Sequence, residues 1–291
     1  MDNLLTREEI QELVKLPNNF DIRLIDQEYG FLSKIFPIIS EEVFNELKES
    51  HSTIFRMIAK AGILYSFVLD IPKIKVHISN YGLVQFEQNK TRNANWWDIR
   101  DLGLSWVKKA DLYLSAGLYQ LSATQYKNRI PFFKTENPLV SFWNFNNYYS
   151  LNDSVSVYEK LLPLLQKNYD KLIELFSPCG IDTLLEDAFL KNKLAEFVMD
   201  RTIIDAMDLP YLSFISTGIA LQYEELPWQK SVVISVKDID FIRQRHIANT
   251  GDTMKLIFNY LNAHKDKFPC IGEIKNTSGL KVVSKKSGLY L

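Results

Sequence analysis

The sequence predicts a mainly α-helical fold with two tandem helical-bundle domains, each with a β-hairpin inserted before its last long helix. Apolar residues recur at helical spacing along most of the chain, which indicates amphipathic helices. One phrase also occurs twice, as DIPKIKVHISNYGLVQFE at 70–87 and DLPYLSFISTGIALQYE at 208–224. Each copy places an acid, an aliphatic residue and a proline before an alternating run, a pattern that switches from helix to a two-stranded ribbon.

Length and composition indicate a globular protein with more than one domain. The chain has 291 residues, of which 46% are hydrophobic and 24% are charged, whereas one domain usually has about 100–200 residues. The formal net charge is −1, so no basic field indicates nucleic acid or an anionic membrane as a partner. We expect no signal peptide, because MDNLLTREEIQELV lacks a basic start followed by an apolar stretch, and no membrane-spanning run.

Start and stop signals define the elements of the first half. Thr6 and Glu9 form a capping box before the first helix. Pro37 ends the second helix, and Ser40 caps the third. The predicted helices span 7–15, 22–36, 40–48 and 52–69, the strands 74–78 and 83–86, and the last long helix 91–123.

The second half repeats this order, ending in a predicted helix at 236–265. Tyr29 aligns with Tyr169 at an offset of 140, and Pro72 aligns with Pro210 at an offset of 138. This nearly constant offset predicts a tandem duplication. The predicted organisation is a first helical domain at 1–128, an aromatic-rich linker at 129–153, a second, duplicated helical domain at 154–268 and a tail at 269–291.

The sequence contains no recognisable catalytic or metal-binding motif. No two of the four histidines share a helical spacing; they are His51, His77, His246 and His264. Cys179 and Cys270 are predicted to be reduced, mostly buried thiols. We therefore expect no catalytic residue, no metal and no cofactor, and no enzyme activity.

Two polar and aromatic features allow more than one interpretation. Glu87 and Glu224 occupy matching places in the two copies. One interpretation is a pair of functional carboxylates, and the other is a contact that sets the register of each ribbon. The stretch NKTRNANWWDIR mixes basic and aromatic residues, and such a mixture can bind and stack on single-stranded nucleic acid. A helix start with Trp96 and Trp97 turned inward is the simpler prediction.

The linker is too aromatic for a solvated connection. Its aromatic residues are Phe132, Phe133, Phe142, Trp143, Phe145, Tyr148 and Tyr149. One interpretation is a segment packed across both domains. The other is a surface that docks onto a neighbouring subunit, since aromatic residues are enriched at interfaces.

Longer stretches resemble a family of phage proteins. LLTREEIQELVKLPNNFDIRLIDQEYGFLSKIFPIISEEVFNEL resembles the opening of bacteriophage head–tail connector (neck ring or portal adaptor) proteins. IFRMIAKAGILYSFVLDIPKIKVHISNYGLVQFEQNKTRNANWWDIRDL resembles a domain of crAss-like and Bacteroides-type phages and prophages. The resemblance covers residues 4–123 well and returns more weakly over 158–265.

The resemblance implies a structural virion protein at the head–tail junction, made in the host cytoplasm and acting by assembly rather than catalysis. Such proteins form closed rings, usually of about twelve copies, between portal and tail. The implied partners are copies of itself, the portal protein, and tail or other neck proteins. Packaged DNA would pass nearby, and no membrane is involved.

Three contact regions follow from that implied role: the ribbons Ile74–Phe86 and Leu212–Tyr223, the aromatic linker and the C-terminal tail. Exposed strand edges can add backbone hydrogen bonds across chains. The subunit-interface candidates are Ile74, Val76, Ile78, Tyr81, Phe86, Phe142, Trp143, Phe145, Phe214, Ile219 and Tyr223. Two other classes stay open: an intracellular helical binding module that is not incorporated in the virion, and an enzyme with a pocket of titratable groups.

Overall fold

The computed structural model describes residues 4–15, 21–73, 84–87, 90–93 and 95–272. Within these residues the protein is mainly α-helical, with two antiparallel hairpins. The strands are β1 (Val84–Glu87), β2 (Lys90–Asn93), β3 (Leu212–Ile215) and β4 (Gly218–Leu221). The α-helices are α1 (Arg7–Val14), α2 (Phe36–Ile39), α3 (Glu41–Ser50), α4 (Ser52–Leu69), α5 (Trp96–Leu121), α6 (Pro131–Thr135), α7 (Phe142–Tyr148), α8 (Val155–Leu175), α9 (Ile181–Leu185), α10 (Ala188–Ala206) and α11 (Val236–Ala263).

The order helix–helix–helix–hairpin–helix occurs twice, as the sequence predicted. Copy one ends in α5, which has 26 residues, and copy two ends in α11, which has 28. Copy two contains α8, α9, α10 and the hairpin β3–β4 before α11. The fold is therefore two tandem helical bundles, each with a hairpin before its last long helix.

Local signals explain where several helices begin. Glu9 donates its backbone N–H to Thr6 Oγ1 at 3.2 Å, and Thr6 donates its own N–H to Glu9 Oε2 at 2.9 Å, so the predicted capping box is confirmed. Ser40 accepts a hydrogen bond from the Val43 backbone N–H, which confirms it as a cap. The prediction that Pro37 ends a helix is wrong, because Pro37 lies in the first turn of α2, where its missing N–H costs nothing.

The chain forms two compact units that do not follow the predicted repeat boundaries. Of the described residues, unit one contains those up to Glu136, Ser141–Leu162 and Pro210–Ile234. Unit two contains Asn137–Val140, Pro163–Leu209 and the residues from Ser235 onward. The hairpin β3–β4 thus belongs to copy two in sequence and to unit one in space.

The core of unit one is built on α4 and α5. A π-helical segment, Phe31–Ile35, runs into α2 and approaches α4 closely. Gly30 donates its backbone N–H to Ser66 Oγ at 2.8 Å, and a Cβ on Gly30 would lie 2.2 Å from the Gly62 carbonyl oxygen. Only a glycine permits this approach, which fixes the π-helical segment against α4.

In unit two, α10 packs against α11, and a disulfide links the two long segments of the unit. The bond links Cys179, after α8, to Cys270, after α11, with the Cα atoms 5.0 Å apart. The prediction of two reduced thiols is therefore wrong. The short sequence spacings that it considered carry no information on a contact between residues 91 positions apart.

The hairpin β3–β4 has a two-residue turn and occupied edges. Ile215 pairs with Gly218, whose φ is +136°. On one edge, Ile219 donates its backbone N–H to the Ser150 carbonyl at 2.9 Å; on the other, Ile234 donates to the Phe214 carbonyl at 3.0 Å. The expectation of exposed ribbon edges is wrong at these positions, because the same chain already fills them.

The first hairpin differs from the prediction in its pairing. Val84 pairs with Asn93 and Glu87 with Lys90, whereas residues 91–93 were expected to begin a helix. The expected strand at 74–78 lies outside the described residues. The helix begins later, at Trp96, because Asn95 and Asp98 form a capping box.

Among the described residues, one helix is long and apolar enough to cross a membrane by length and composition. This helix is α4, with 18 residues, of which 67% are buried. The sequence had indicated no run of that length. Burial in the core of a folded protein accounts for the same composition.

Candidate functional site

A buried polar cluster surrounds Asp111 in unit one. Asp111 lies on α5 and is 3% exposed. Its Oδ1 accepts hydrogen bonds from the Tyr65 hydroxyl on α4 and, at 3.1 Å, from Ser154 Oγ just before α8. One carboxyl group therefore connects three helices.

The surroundings shift the protonation of this cluster. Burial raises the pKa of Asp111 to about 7, although the hydrogen bonds from Tyr65 and Ser154 oppose the shift. Burial also lowers the pKa of Lys34, against the attraction of Asp111 and Glu225. The Lys34 ammonium nitrogen lies 5.1 Å from the centre of the Tyr223 ring. The cluster therefore combines an acid that titrates near neutrality with a desolvated lysine.

Tyr223 adds an unusual group to the cluster. It is 3% exposed, and its hydroxyl has no hydrogen-bond partner among the described residues. Burial raises the pKa of Tyr223 well above its ordinary value. Glu159 borders the same region, and burial raises its pKa as well. Perturbed titratable groups mark candidate functional sites, but burial of Asp111 and Tyr223 keeps solvent away from both.

No sequence motif indicates this cluster as a whole, although one signal is present. Asp111 lies on the apolar face of α5, next to Ala110, one turn from Leu114 and two turns from Leu118, all of which are fully buried. An acid on such a face needs hydrogen-bond donors. Because those donors come from distant segments, the pattern could indicate the acid but not its partners.

Unit two has its own buried polar contacts. Asp200 on α10 and His246 on α11 are both buried, with Asp200 Oδ1 2.6 Å from His246 Nδ1. Asp187 caps α10 by accepting from the Phe189 and Leu190 backbone N–H groups. Together these contacts tie α10 to its neighbours.

The carboxylate of Asp187 also holds the segment after α11. It accepts from Lys267 Nζ at 2.7 Å and from the Tyr260 hydroxyl at 3.1 Å. The hydrogen bond from Lys267, together with the backbone and Tyr260 donors, lowers the pKa of Asp187 to about 2. This clamp lies in unit two with the Cys179–Cys270 disulfide.

Five predicted interface residues lie in the core. They are almost completely buried: Phe142, Phe145, Phe214, Ile219 and Tyr223. The prediction that they form a subunit surface is wrong for the folded chain, because α7 and the hairpin β3–β4 turn these side chains into the protein. Phe142, for example, contacts Phe132 and Tyr158 edge-on in unit one.

The other interface candidates have different outcomes. Trp143 is half-buried and stacks on Phe133, with ring centres 6.2 Å apart. Phe86 lies in β1, and its side chain is outside the described part. The remaining four candidates lie outside the described residues: Ile74, Val76, Ile78 and Tyr81.

Exposed apolar side chains instead occur at the starts of the two long helices. Trp96 and Trp97 on α5 are 39% and 45% exposed, so the prediction that this pair turns inward is wrong. Val236 and Phe241 on α11 are 76% and 71% exposed. A contiguous apolar patch indicates an interaction surface, whereas single exposed apolar residues are ordinary on a protein surface.

A cavity of about 480 Å³ lies in unit one, and none of the residues discussed above lines it. Its lining residues are Leu4, Leu5, Arg7, Ile10, Asp21, Ile22, Arg23 and Gln27. Arg23 on its rim is already paired with Asp21. In the described part of the chain, no group of three His, Cys, Asp or Glu residues is placed to hold a metal ion.

Comparison with known proteins gives one match. No curated protein and no solved structure matches the chain. The sequence profile of a family of unknown function, DUF6712, matches residues 24–130 and again residues 154–274. Two matches to one profile agree with the repeated element order. The chain belongs to the DUF6712 family and carries two copies of its characteristic region.

Proposed function

We propose that the protein is a structural subunit of the bacteriophage neck, which assembles into a closed ring between the portal and the tail. The observation that carries the proposal is the exposure of Val236 and Phe241 at the start of α11. An isolated chain gains nothing by leaving a phenylalanine in water, whereas burying that side chain in an interface stabilises the complex by about 1.5–3 kcal/mol. The resemblance of residues 4–123 to neck proteins supports the same role.

The character of the buried polar groups also favours assembly over catalysis. Asp111, Tyr65 and Ser154 satisfy one another inside unit one. The group that titrates near neutrality is 3% exposed, so a substrate could not reach it without unfolding part of the unit. The cluster therefore suits a structural role, in which it joins α4, α5 and the start of α8.

The disulfide fits synthesis in the host cytoplasm followed by release. Thiols are kept reduced in most cytosols, and disulfides persist outside the cell. A virion protein passes from one environment to the other. On this proposal, Cys179 and Cys270 meet as thiols during folding, and after the particle leaves the host dissolved oxygen or another disulfide takes up the two electrons and two protons released as the bond forms.

The decisive experiment is mass spectrometry of purified phage particles, combined with electron microscopy of the isolated neck. We expect the chain in a fixed ratio to the portal protein and in a closed ring. Absence from particles, with the chain found only in infected-cell lysate, would refute the proposal and favour an intracellular binding module.

A further inference from the structure

The outer face of α5 carries a stripe of apolar side chains in unit one. Leu112 is 54% exposed, and Tyr119 is 65% exposed. The two residues are seven positions apart in the sequence, so they lie two turns apart on the same face of the helix. Ala116 lies between them and is half-buried. Together these residues form a continuous apolar strip along the second half of α5.

Aromatic rings from α6 and α7 extend this strip. The Tyr119 ring centre lies 5.7 Å from that of Trp143, with the two ring planes at 72°. Trp143 in turn stacks on Phe133, and both rings are half-buried. We call Leu112, Ala116, Tyr119, Phe133 and Trp143 the α5–α7 patch, and all five belong to unit one. A contiguous exposed patch of this kind indicates an interaction surface.

Lysines surround the patch. The elements that carry or flank it are α4, α5, the short 3-10 helix Gln125–Arg129, α6 and α7. Lys127 Nζ lies 5.9 Å from the centre of the Phe133 ring, and Lys60 Nζ lies 5.5 Å from the centre of the Tyr113 ring on α5. None of the lysines on these elements forms an ion pair with a described residue. They are Lys60, Lys108, Lys109, Lys127 and Lys134.

The acids of the same elements, and of the loops next to them, are buried or already bonded. Asp111 lies inside unit one, and Glu136 accepts a backbone N–H of α7 at 3.0 Å. Asp98 and Asp101 lie at the start of α5, where each is bonded within the first two turns. Asp153, which follows α7, accepts from a side-chain amide of that helix at 2.8 Å. The α5–α7 patch is therefore apolar at its centre and positive at its rim.

The two arginines on the later part of these elements bond to acids of α1 and α3. Arg56 bonds to Glu9 of α1 at 3.0 Å. Arg129 bonds to Glu42 and Glu46 of α3 at 3.0 and 2.7 Å. The other acids of α1 and α3 lie on helices that carry no residue of the patch. The positive rim therefore consists of the lysines.

We propose that the α5–α7 patch binds an amphipathic segment of another protein whose polar side is rich in aspartate and glutamate. The apolar side of that segment lies on the strip from Leu112 to Tyr119 and on the Trp143 ring. Its carboxylates face the lysines of the rim, and opposite charges orient the complex and raise the association rate. Docking of an amphipathic helix through its apolar face is a common mode of peptide recognition. The inference goes beyond the proposed function and does not depend on it.

Single-stranded nucleic acid is the competing occupant, because lysines beside aromatic rings can hold it. Such binding needs free ring faces on which bases stack. The rings of Phe133 and Trp143 lie at 23° to each other, so each already presents one face to the other. Leu112 and Ala116, which form the first part of the strip, have no ring. These features favour a protein segment.

Fluorescence anisotropy with synthetic peptides tests the class of partner. The probe is a labelled peptide with leucine at helical spacing on one face and glutamate at the other positions, titrated with the full chain. We expect saturable binding that weakens as salt is added. Three control probes should bind more weakly by about tenfold or more: a scrambled peptide of the same composition, a peptide with lysine in place of glutamate, and oligothymidylate. Equal or tighter binding of any control, or no binding of the glutamate peptide, would overturn the inference.

Substitutions in the patch locate the binding site. Leu112→Ser and Tyr119→Ser should each weaken binding of the glutamate peptide by about tenfold, because each removes an apolar contact. Both residues are exposed, so the circular dichroism melting curves should stay unchanged. The matched control, Phe241→Ser, removes a similarly exposed ring from α11 in unit two and should leave binding unchanged. Equal losses in all three variants would contradict the assignment to this patch.

Charge reversal tests the rim. Lys127→Glu should weaken binding and reduce its dependence on salt, because Lys127 lies beside Phe133. Lys48→Glu, at an exposed position of α3, changes the net charge equally and should have no effect. Equal effects of the two reversals would sink the inference. Mass spectrometry of phage particles decides the neck function separately: peptide binding by a chain absent from virions leaves this inference standing, and a virion protein that does not bind the peptide overturns this inference alone.

Discussion

The Tyr65 hydroxyl donates a hydrogen bond to Asp111 Oδ1, and the two residues lie 46 positions apart in the sequence. Asp200 and His246 are also 46 positions apart, and they also join the two long helices of one copy. In each copy, a buried aspartate thus bonds across the hairpin-bearing connection. The chemistry differs, because one partner is a phenol and the other an imidazole.

The protonation of Asp111 makes the stability of unit one depend on pH. Its pKa is about 7 in the folded chain and near 3.8 when exposed, so the folded state holds the proton more tightly. Stability from this group is complete below about pH 4 and is lost as the pH rises to about 7, by up to about 4 kcal/mol. Asp111→Asn should remove this slope in urea unfolding measured from pH 4 to 8. An unchanged slope would locate the titrating group elsewhere.

Two tyrosines of the cluster should respond in opposite ways to loss of the hydroxyl. Tyr65→Phe removes a donor from Asp111 and should lower the free energy of unfolding by about 1–3 kcal/mol. Tyr223→Phe removes a hydroxyl without a partner among the described residues and should be neutral or slightly stabilising. Urea titration at pH 6 compares the two. A larger loss for Tyr223→Phe than for Tyr65→Phe would contradict this assignment.

Gly218 is required by the turn of hairpin β3–β4. Its φ is +136°, and an added Cβ would lie 2.1 Å from the Ser150 carbonyl oxygen. Gly218→Ala should therefore cost about 2 kcal/mol or more. Gly251→Ala is the control, because that glycine lies in α11 with nothing within 4 Å and should stabilise by about 0.5–1 kcal/mol. Differential scanning calorimetry should show melting shifts of opposite sign.

Removal of the disulfide should destabilise unit two. The bond closes a loop between residues 91 positions apart, for which loop-closure entropy gives roughly 4–5 kcal/mol. The double variant Cys179→Ser/Cys270→Ser should melt lower than the oxidised protein and should not respond to reductant. Alkylation and mass spectrometry before and after air oxidation check the thiol state. Free thiols after oxidation would exclude the crosslink.

Signals confined to a few neighbouring residues predicted structure well. The capping box of Thr6 and Glu9 and the alternation in β3 and β4 are local, so the sequence shows them directly. The duplication was also visible, because equivalent residues keep a nearly constant offset. These features fixed the fold class without any knowledge of packing.

Features that depend on distant partners could not be predicted in the same way. Alternation showed that Phe214 and Ile219 lie on an apolar face of the hairpin. It did not show that this face packs on the protein core rather than on a neighbouring subunit. Trp96 and Trp97 were expected inside because aromatic residues usually are, whereas the capping box at Asn95 places them at the exposed start of α5. Long-range packing decided each case.

The assignment of Pro210–Ile234 to unit one affects how the protein is made. On the ribosome, α4 and α5 emerge early, yet the segment that completes their unit is translated only after all of α10. Neither unit can therefore complete its fold before the second copy is translated, so both units finish folding late in translation. A premature stop codon within the second copy would remove part of the structure that the first copy needs. The two duplicated copies can therefore no longer be encoded as separate proteins.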